Sequence, residues 1–209
     1  MTLRPARGWR RIGVFGGTFD PPHVGHLALA ERARDELGLD RVLFVTAARP
    51  PHKSAQPRSR VEHRFAMTRL AVRGFKAFEA CDLELLRRGP SYTVDTLRAL
   101  HRAHPDAAFW LLLGEDSLRG FSTWKQPAEI LERARLAIAP RSPGAGPKRS
   151  IPRSPAGLKQ RLTWLSGPVL EVSSSDLRER AQRGASLSVL VPEPVVRYVR
   201  RHRLYVGGA

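Results

Sequence analysis

The chain has 209 residues, of which 42% are hydrophobic, so it is long and apolar enough to bury the core of one large domain. Its 36 Lys and Arg residues against 19 Asp and Glu residues give a formal net charge of +17, and its single cysteine, Cys81, excludes an intramolecular disulfide and favours the cytoplasm. No apolar run approaches the roughly 20 residues of a membrane helix, and no apolar segment of a secretory signal follows the basic N-terminus.

The first predicted elements are a strand, a glycine turn, a helix and a second strand. The apolar run 11–15 predicts a buried strand, and 41–46 predicts another. Between them, apolar residues at helical spacing predict a helix that begins at Val24 and ends at Gly38. This order is typical of a βαβ unit and therefore of a parallel sheet.

The alternation of helices and strands continues to the C-terminus. The further predicted helices cover 59–73, 91–104, 126–134, 174–184 and 192–204, and the further predicted strands cover 77–85, 108–114, 135–140 and 169–172. We therefore predict an α/β fold with a doubly wound parallel sheet and with the C-terminal helices packed on its carboxyl edge. Residues 1–11 are expected to be an N-terminal extension, and residues 12–209 a single domain.

The segment 141–160 carries five basic and no acidic residues, together with four prolines, three glycines and three serines. This composition predicts a mobile basic loop. The remaining positive charge is scattered and lacks interleaved aromatic residues, which does not favour a dedicated nucleic-acid partner. A basic nucleic-acid-binding protein nevertheless stays open as an alternative of a different class.

The residues after the first strand are suited to binding an anion. Gly16 and Gly17 would let backbone N–H groups approach a phosphate, with the N-terminus of the following helix directed at it. His23 and His26 stand three residues apart at the start of that helix. A zinc site would need further ligands, and Asp20 is the one local candidate. Phosphate binding, a metal site and two surface histidines are the interpretations open at this point, and the first is favoured.

The same residues resemble the H-x-G-H signature of the nucleotidylyltransferase superfamily, and with Asp20 and Pro21 they resemble the nicotinate-nucleotide adenylyltransferase family. Five further blocks resemble blocks of that family, in its order, at 49–53, 89–97, 112–118, 121–126 and 172–180. The resemblance spans residue 12 to about residue 205. It implies a Rossmann-like fold that transfers AMP from Mg²⁺-bound ATP to nicotinate mononucleotide. The products would be nicotinate adenine dinucleotide and pyrophosphate, a step of NAD biosynthesis.

The resemblance also implies a role for each matching residue. His23 and His26 would contact the ATP phosphates, and His26 would stabilise the transition state. The floor under the nucleotides would consist of Gly16, Gly17, Thr18 and Phe19. Further phosphate contacts would come from Lys53, Ser175 and Arg178. The pyridine nucleotide would be bound by Thr93, Gly114, Asp116 and Trp124. No metal ligand from the protein is implied, because Mg²⁺ would arrive with ATP.

The chemistry of such a transfer agrees with these residue types. The attacking phosphate oxygen is already an anion, so the reaction needs alignment and charge cancellation and no general base. Protonated histidine, Lys53, Arg178 and helix N-termini would supply the positive charge. Ser91 is predicted to be the N-cap of the third helix, which would leave the N–H groups of Tyr92 and Thr93 as donors for a carboxylate.

Ser175 replaces the threonine that the family usually has, and this keeps the hydroxyl. The segment 141–160 has no clear counterpart in the family, and the resemblance does not explain the N-terminal residues 1–10. A second alternative is another small nucleotidylyltransferase of the same fold, for example one that adenylylates phosphopantetheine. The sequence leaves open whether the chain forms a homo-oligomer and what the basic loop does.

Overall fold

The computed structural model describes residues 8–50, 58–140, 151–152, 154–166 and 170–206. The strands are β1 (Arg11–Gly17), β2 (Arg41–Thr46), β3 (Phe78–Cys81), β4 (Ala108–Gly114), β5 (Arg135–Ala139) and β6 (Leu162–Trp164). The helices are α1 (Val24–Leu37), α2 (Val61–Val72), α3 (Thr93–Ala103), α4 (Glu115–Arg119), α5 (Pro127–Arg133), α6 (Ser174–Gln182) and α7 (Glu193–Arg201). Short 3₁₀ segments cover Phe121–Thr123 and Lys159–Arg161. No helix in these ranges is long and apolar enough to cross a membrane.

The six strands of the described ranges form one parallel sheet in the order β3-β2-β1-β4-β5-β6. β1 lies inside the sheet, where Ile12 is paired with Arg41 of β2 on one side and with Phe109 of β4 on the other. The strand order therefore reverses between β1 and β4. In open α/β sheets, ligands bind outside the carboxyl ends of the strands at such a reversal. Gly17 and Gly114 end these two strands, so they face this crevice.

Both faces of the sheet are covered by helices. Ile12 and Val14 of β1 pack in one layer with α3 and α5, whereas Phe15 packs in the other layer with α1. Strands that are buried on both faces consist of continuous apolar runs, which is the pattern of β1, β2 and β4. The predicted doubly wound α/β fold is confirmed.

The C-terminal helices are placed differently from the prediction, which put both of them on the carboxyl edge. α7 packs on α2, where Met67 and Ala71 meet Val195 and Val199 in a third apolar cluster. The apolar face of α7 decides this, because it is complementary to the buried face of α2. α6 lies at the carboxyl edge, where the Ser174 hydroxyl donates to the Pro21 carbonyl at 2.9 Å.

The predicted strand at 169–172 was wrong for its described residues, 170–172, which are irregular. The edge strand is instead β6, which pairs with β5 and is followed by Leu165, whose N–H donates to Ile138 O at 2.9 Å. The segment 141–160 lies partly outside the described residues. Within its described part, Leu158 is only 2% exposed and belongs to the core, an apolar anchor that composition did not indicate. The mobility of this loop stays a prediction.

Candidate active site

A crevice of about 620 Å³ opens at the carboxyl edge of the sheet, beside the reversal of strand order. Its walls come from the start of α1, the end of β4, the start of α4 and the segment before α6. Four residues that the sequence predicts for the site line it together: His23, His26, Gly114 and Asp116. Asp116 lies in the first turn of α4, and its half-exposed side chain pairs with Arg119 at 3.6 Å.

The two histidine rings lie against each other, tilted by 31°, at the N-terminus of α1. Their ring centroids are 3.7 Å apart, and His26 Nδ1 accepts a hydrogen bond from the His23 backbone N–H at 3.2 Å. The rings of Phe15 and Phe19 pack against His26 from behind, at 5.8 Å and 5.1 Å between centroids. Because Nδ1 accepts, a neutral His26 carries its proton on Nε2, which makes Nε2 the donor of this ring.

Without a ligand beside it, the buried ring of His23 favours the neutral form, and the protonated histidine expected during phosphate transfer stays a prediction. Its side chain is 5% exposed, and burial lowers its pKa from 6.5 to about 4. Nδ1 of His23 has no hydrogen-bond partner among the described residues. Gly25 allows this placement, because a Cβ at position 25 would lie 3.1 Å from His23 Nδ1.

The turn after β1 provides an open floor beside the histidines. A Cβ at Gly16 would meet no described atom within 4 Å, so the space above it is free for a ligand. A Cβ at Gly17 would come within 2.7 Å of the Phe19 ring. Phe19 itself is buried, with a positive φ of 49°, and its ring supports His26 from inside the core. Thr18 is also buried, and its carbonyl accepts a hydrogen bond from Arg64.

Arg64 is a buried residue at this site that the sequence analysis missed. It is 1% exposed and its guanidinium donates to four backbone carbonyls. The acceptors are Ser59 at 3.1 Å, Thr18 at 3.0 Å, Ala47 at 2.7 Å and Ala48 at 3.2 Å. Arg64 thus joins the loops that follow β1 and β2. Its position was detectable, because it lies on the apolar face of α2, three residues before Met67.

The Asp20 carboxylate stabilises the same turn through hydrogen bonds. It is buried, and its Oδ2 accepts from the N–H groups of Arg58 at 2.9 Å and Ser59 at 3.3 Å. Its Oδ1 accepts from the Tyr205 hydroxyl at 2.7 Å. Both oxygens are therefore used within the protein. No group of three or more His, Cys, Asp or Glu side chains that could hold a metal ion occurs in the part of the chain that the structure describes.

α6 brings a second pair of predicted phosphate ligands to the histidine turn. Arg178 donates to the Asp20 carbonyl at 2.9 Å and to the Ser175 hydroxyl at 3.1 Å. Its buried Nε has no partner among the described residues. α6 begins here because Ser173 is its N-cap, with the Ser173 hydroxyl accepting from the Asp176 N–H at 3.1 Å. Lys53 lies outside the described residues.

At the start of α3, the predicted cap was wrong. The N-cap is Tyr92, and the Ser91 hydroxyl instead accepts from the N–H groups of Ala48 and Arg49, at 3.0 Å and 3.1 Å. The Tyr92 N–H donates to Pro90 O at 3.1 Å and so is not an unpaired donor. The serine hydroxyl therefore bonds the loop after β2 and not the helix. Spacing along the chain does not predict this contact, because the loop lies more than 40 residues away. Thr93 is the first residue of the helix.

The segment after α4 lies beside this helix N-terminus. Trp124 is half-buried and packs on the core beside Phe121, with ring centroids 5.5 Å apart. Lys125 places its ammonium 4.4 Å from the centre of the Tyr92 ring and 3.2 Å from an oxygen of Asp95. The sequence analysis missed Lys125, which adds a cation where the helix dipole already favours an anion.

Comparison with known proteins shows the family of this chain. The cytidylyltransferase-like family model matches residues 14–180. The probable nicotinate-nucleotide adenylyltransferase of Salinibacter ruber is 44% identical over 194 residues, which cover 93% of this chain and 97% of the relative. The chain belongs to the nicotinate-nucleotide adenylyltransferase family. A second member, the probable enzyme of Symbiobacterium thermophilum, is 43% identical and matches 95% of this chain and 96% of its own.

Solved structures support the fold of this family member. The Plasmodium falciparum nicotinic acid mononucleotide adenylyltransferase complexed with NaAD superposes with a TM-score of 0.73. The match covers 94% of this chain and 97% of the Plasmodium chain, at 18% identity. At that identity the likeness establishes the shared architecture, and the roles of individual residues depend on the contacts described above.

Proposed function

We propose that this protein transfers AMP from ATP to nicotinate mononucleotide, forming nicotinate adenine dinucleotide and pyrophosphate in NAD biosynthesis. The observation that carries the proposal is the contacting pair His23–His26, which lies at the N-terminus of α1 and lines the crevice at the strand reversal. Membership of the nicotinate-nucleotide adenylyltransferase family supports the same reaction.

In this reaction a phosphate oxygen of the mononucleotide attacks the α-phosphorus of ATP, and the bond from that phosphorus to the β-phosphate bridging oxygen breaks. The attacking oxygen is an anion at neutral pH, so no base is required. Charge builds up on the phosphate oxygens, where preorganised donors stabilise it most. His26 Nε2–H is such a donor, and the N-terminus of α1 adds partial positive charge beside it. The Val24 and His26 N–H groups already donate, to Leu190 O and His23 O.

His23 would act as a second, neutral donor at the start of the reaction. Its pKa of about 4 is that of a buried ring without an anion beside it. A bound phosphate would raise this pKa, because a nearby negative charge favours the protonated ring. Ser175 and Arg178 stand across the turn from the histidines, so we assign them to the pyrophosphate portion of ATP. Mg²⁺ would enter with ATP, held mainly by phosphate oxygens and water.

The acceptor half of the site would lie between the start of α3 and the Trp124–Lys125 segment. The N–H groups of Thr93 and Val94 have no acceptor within the helix, whereas the Asp95 N–H donates to the Tyr92 carbonyl at 3.1 Å. Lys125 lies over the Tyr92 ring beside them, paired with Asp95 at 3.2 Å, and its ammonium has further N–H groups to donate to a bound carboxylate. This arrangement favours the carboxylate of nicotinate mononucleotide over the neutral amide of its analogue, because the acid makes charge-assisted hydrogen bonds.

A pyrophosphate-release assay with ATP and a panel of phosphorylated acceptors tests the proposal. The panel contains nicotinate mononucleotide, its amide analogue and phosphopantetheine. We expect the acid mononucleotide to have the highest kcat/KM, at roughly 10² times the amide value. Fastest turnover of phosphopantetheine would instead assign the chain to another nucleotidylyltransferase reaction. A salt titration against RNA and DNA checks the nucleic-acid alternative, whose affinity would fall steeply with salt.

A further inference from the structure

Tyr205 lies near the C-terminus, 185 residues after Asp20, yet its hydroxyl donates to Asp20 Oδ1 at 2.7 Å. We propose that Tyr205 is a positioning residue, which holds the Asp20 carboxylate and through it the turn that carries His23 and His26. The effect on catalysis rests on the proposed adenylyl transfer. The effect on the position of the histidines does not depend on it.

The turn from Thr18 to Pro21 is held mainly from outside α1. Its carbonyls accept from Arg64 at Thr18, from Arg178 at Asp20 and from Ser174 at Pro21. The Asp20 side chain adds the contacts to the segment before α2 and to Tyr205. His23 follows Asp20 by three residues, so a shift of this carboxylate is transmitted to the first residue of the histidine pair.

The backbone conformation and the buried surroundings of Tyr205 hold its hydroxyl in place. It has a positive φ of 64°, a conformation that is unfavourable for a residue with a side chain. Its ring is buried in the third apolar cluster, between α2 and α7, and its hydroxyl passes 3.8 Å from Met67 Sδ. Burial, together with the neighbouring Asp20 charge, raises the pKa of Tyr205, so the hydroxyl keeps its proton.

Removal of this one hydroxyl would leave a buried carboxylate oxygen short of a donor. Movement of this oxygen towards another donor or towards water lowers the free energy of the protein, and the turn moves with it. A misplacement of about 1 Å at a reacting centre can lower a rate by as much as 10². A residue that merely fills space would affect the stability of the C-terminal cluster without moving the histidines.

The test compares Tyr205→Phe with Tyr198→Phe. Tyr198 is a matched control, because it lies in α7, contacts the same apolar cluster and also loses one hydroxyl hydrogen bond, to His63 Nδ1 at 3.0 Å. Unfolding in urea measures the loss of stability in each variant, which should be larger for Tyr205→Phe because its hydroxyl bonds a buried carboxylate. We expect Tyr205→Phe to lower kcat by roughly tenfold, with Tyr198→Phe within about twofold of the unsubstituted enzyme.

NMR of the imidazole nitrogens provides a readout that does not need turnover. The ¹⁵N shifts of His23 and His26 should change in Tyr205→Phe and stay unchanged in Tyr198→Phe. Equal kcat values for the two variants, or unchanged histidine shifts in Tyr205→Phe, would overturn the proposal. If the unsubstituted protein releases no pyrophosphate with any acceptor, the proposed function fails, and the histidine shifts alone decide whether Tyr205 positions the turn.

Discussion

Arg64 should be the most sensitive position outside the crevice, because one side chain joins the loops after β1 and β2. Substitution by methionine keeps a similar length of side chain and removes all four hydrogen bonds to backbone carbonyls. Substitution by lysine keeps the positive charge but supplies three donors instead of the five of a guanidinium. The two variants therefore separate loss of the charge from loss of the fork-shaped geometry.

The magnitudes follow from the number of bonds. At about 1 kcal/mol net for each hydrogen bond, Arg64→Met should lower the free energy of unfolding by about 4 kcal/mol. Burial of the guanidinium, which lowers its pKa, offsets part of that loss, since the variant no longer buries a charge. Arg64→Lys leaves at least one carbonyl without a donor and should cost about 1 to 3 kcal/mol. Both losses are large against a domain stability of about 5 to 15 kcal/mol.

Urea unfolding measures these losses, and Arg69 provides the control. Arg69 lies on the same helix and is exposed, so Arg69→Met and Arg69→Lys should change stability by at most about 1 kcal/mol. Arg64→Lys should also lower kcat, because the Thr18 carbonyl and the histidine turn lose their fixed position. The reasoning is refuted if Arg64→Met is as stable as Arg69→Met.

Four further outcomes are expected. His26→Ala should lower kcat by roughly 10² to 10³ while the protein still folds, and near-normal turnover would exclude His26 as a transition-state donor. Gly16→Ala should raise the KM for ATP without loss of stability, since the added Cβ meets only open space among described atoms. Lys125→Met should lower the preference for acid over amide by up to roughly tenfold, whereas Trp124→Ala should weaken both acceptors alike. The pKa of His23 is about 4 in the folded protein and 6.5 in the unfolded chain, so the unfolded chain binds the proton more readily. The free energy of unfolding should therefore fall by about 3 kcal/mol as the pH drops from 6.5 to 4. His23→Gln should remove this part of the pH dependence.

The sequence by itself determined the features that depend on neighbouring residues. β1, β2 and β4 are apolar runs ending at polar or glycine turns, and α1 ends at Gly38 in the left-handed conformation, as its position after the last apolar residue predicts. The parallel sheet and the crevice at its carboxyl edge follow from the alternation of these elements. His23 and His26 were detectable for the same reason, since they stand together in one short motif.

Only the tertiary structure decided the features that depend on segments far apart in the chain. From the sequence, Asp20 could be a metal ligand or a turn residue. Its hydrogen bond with Tyr205 joins residues 185 positions apart, so only the tertiary structure shows it. The Ser91 hydroxyl accepts from two N–H groups of the loop after β2, and these contacts take the place of a cap on α3. The neutral state of His23 likewise depends on desolvation by packed neighbours. Hydrogen bonds and burial of this kind have no period along the chain, so no local pattern encodes them.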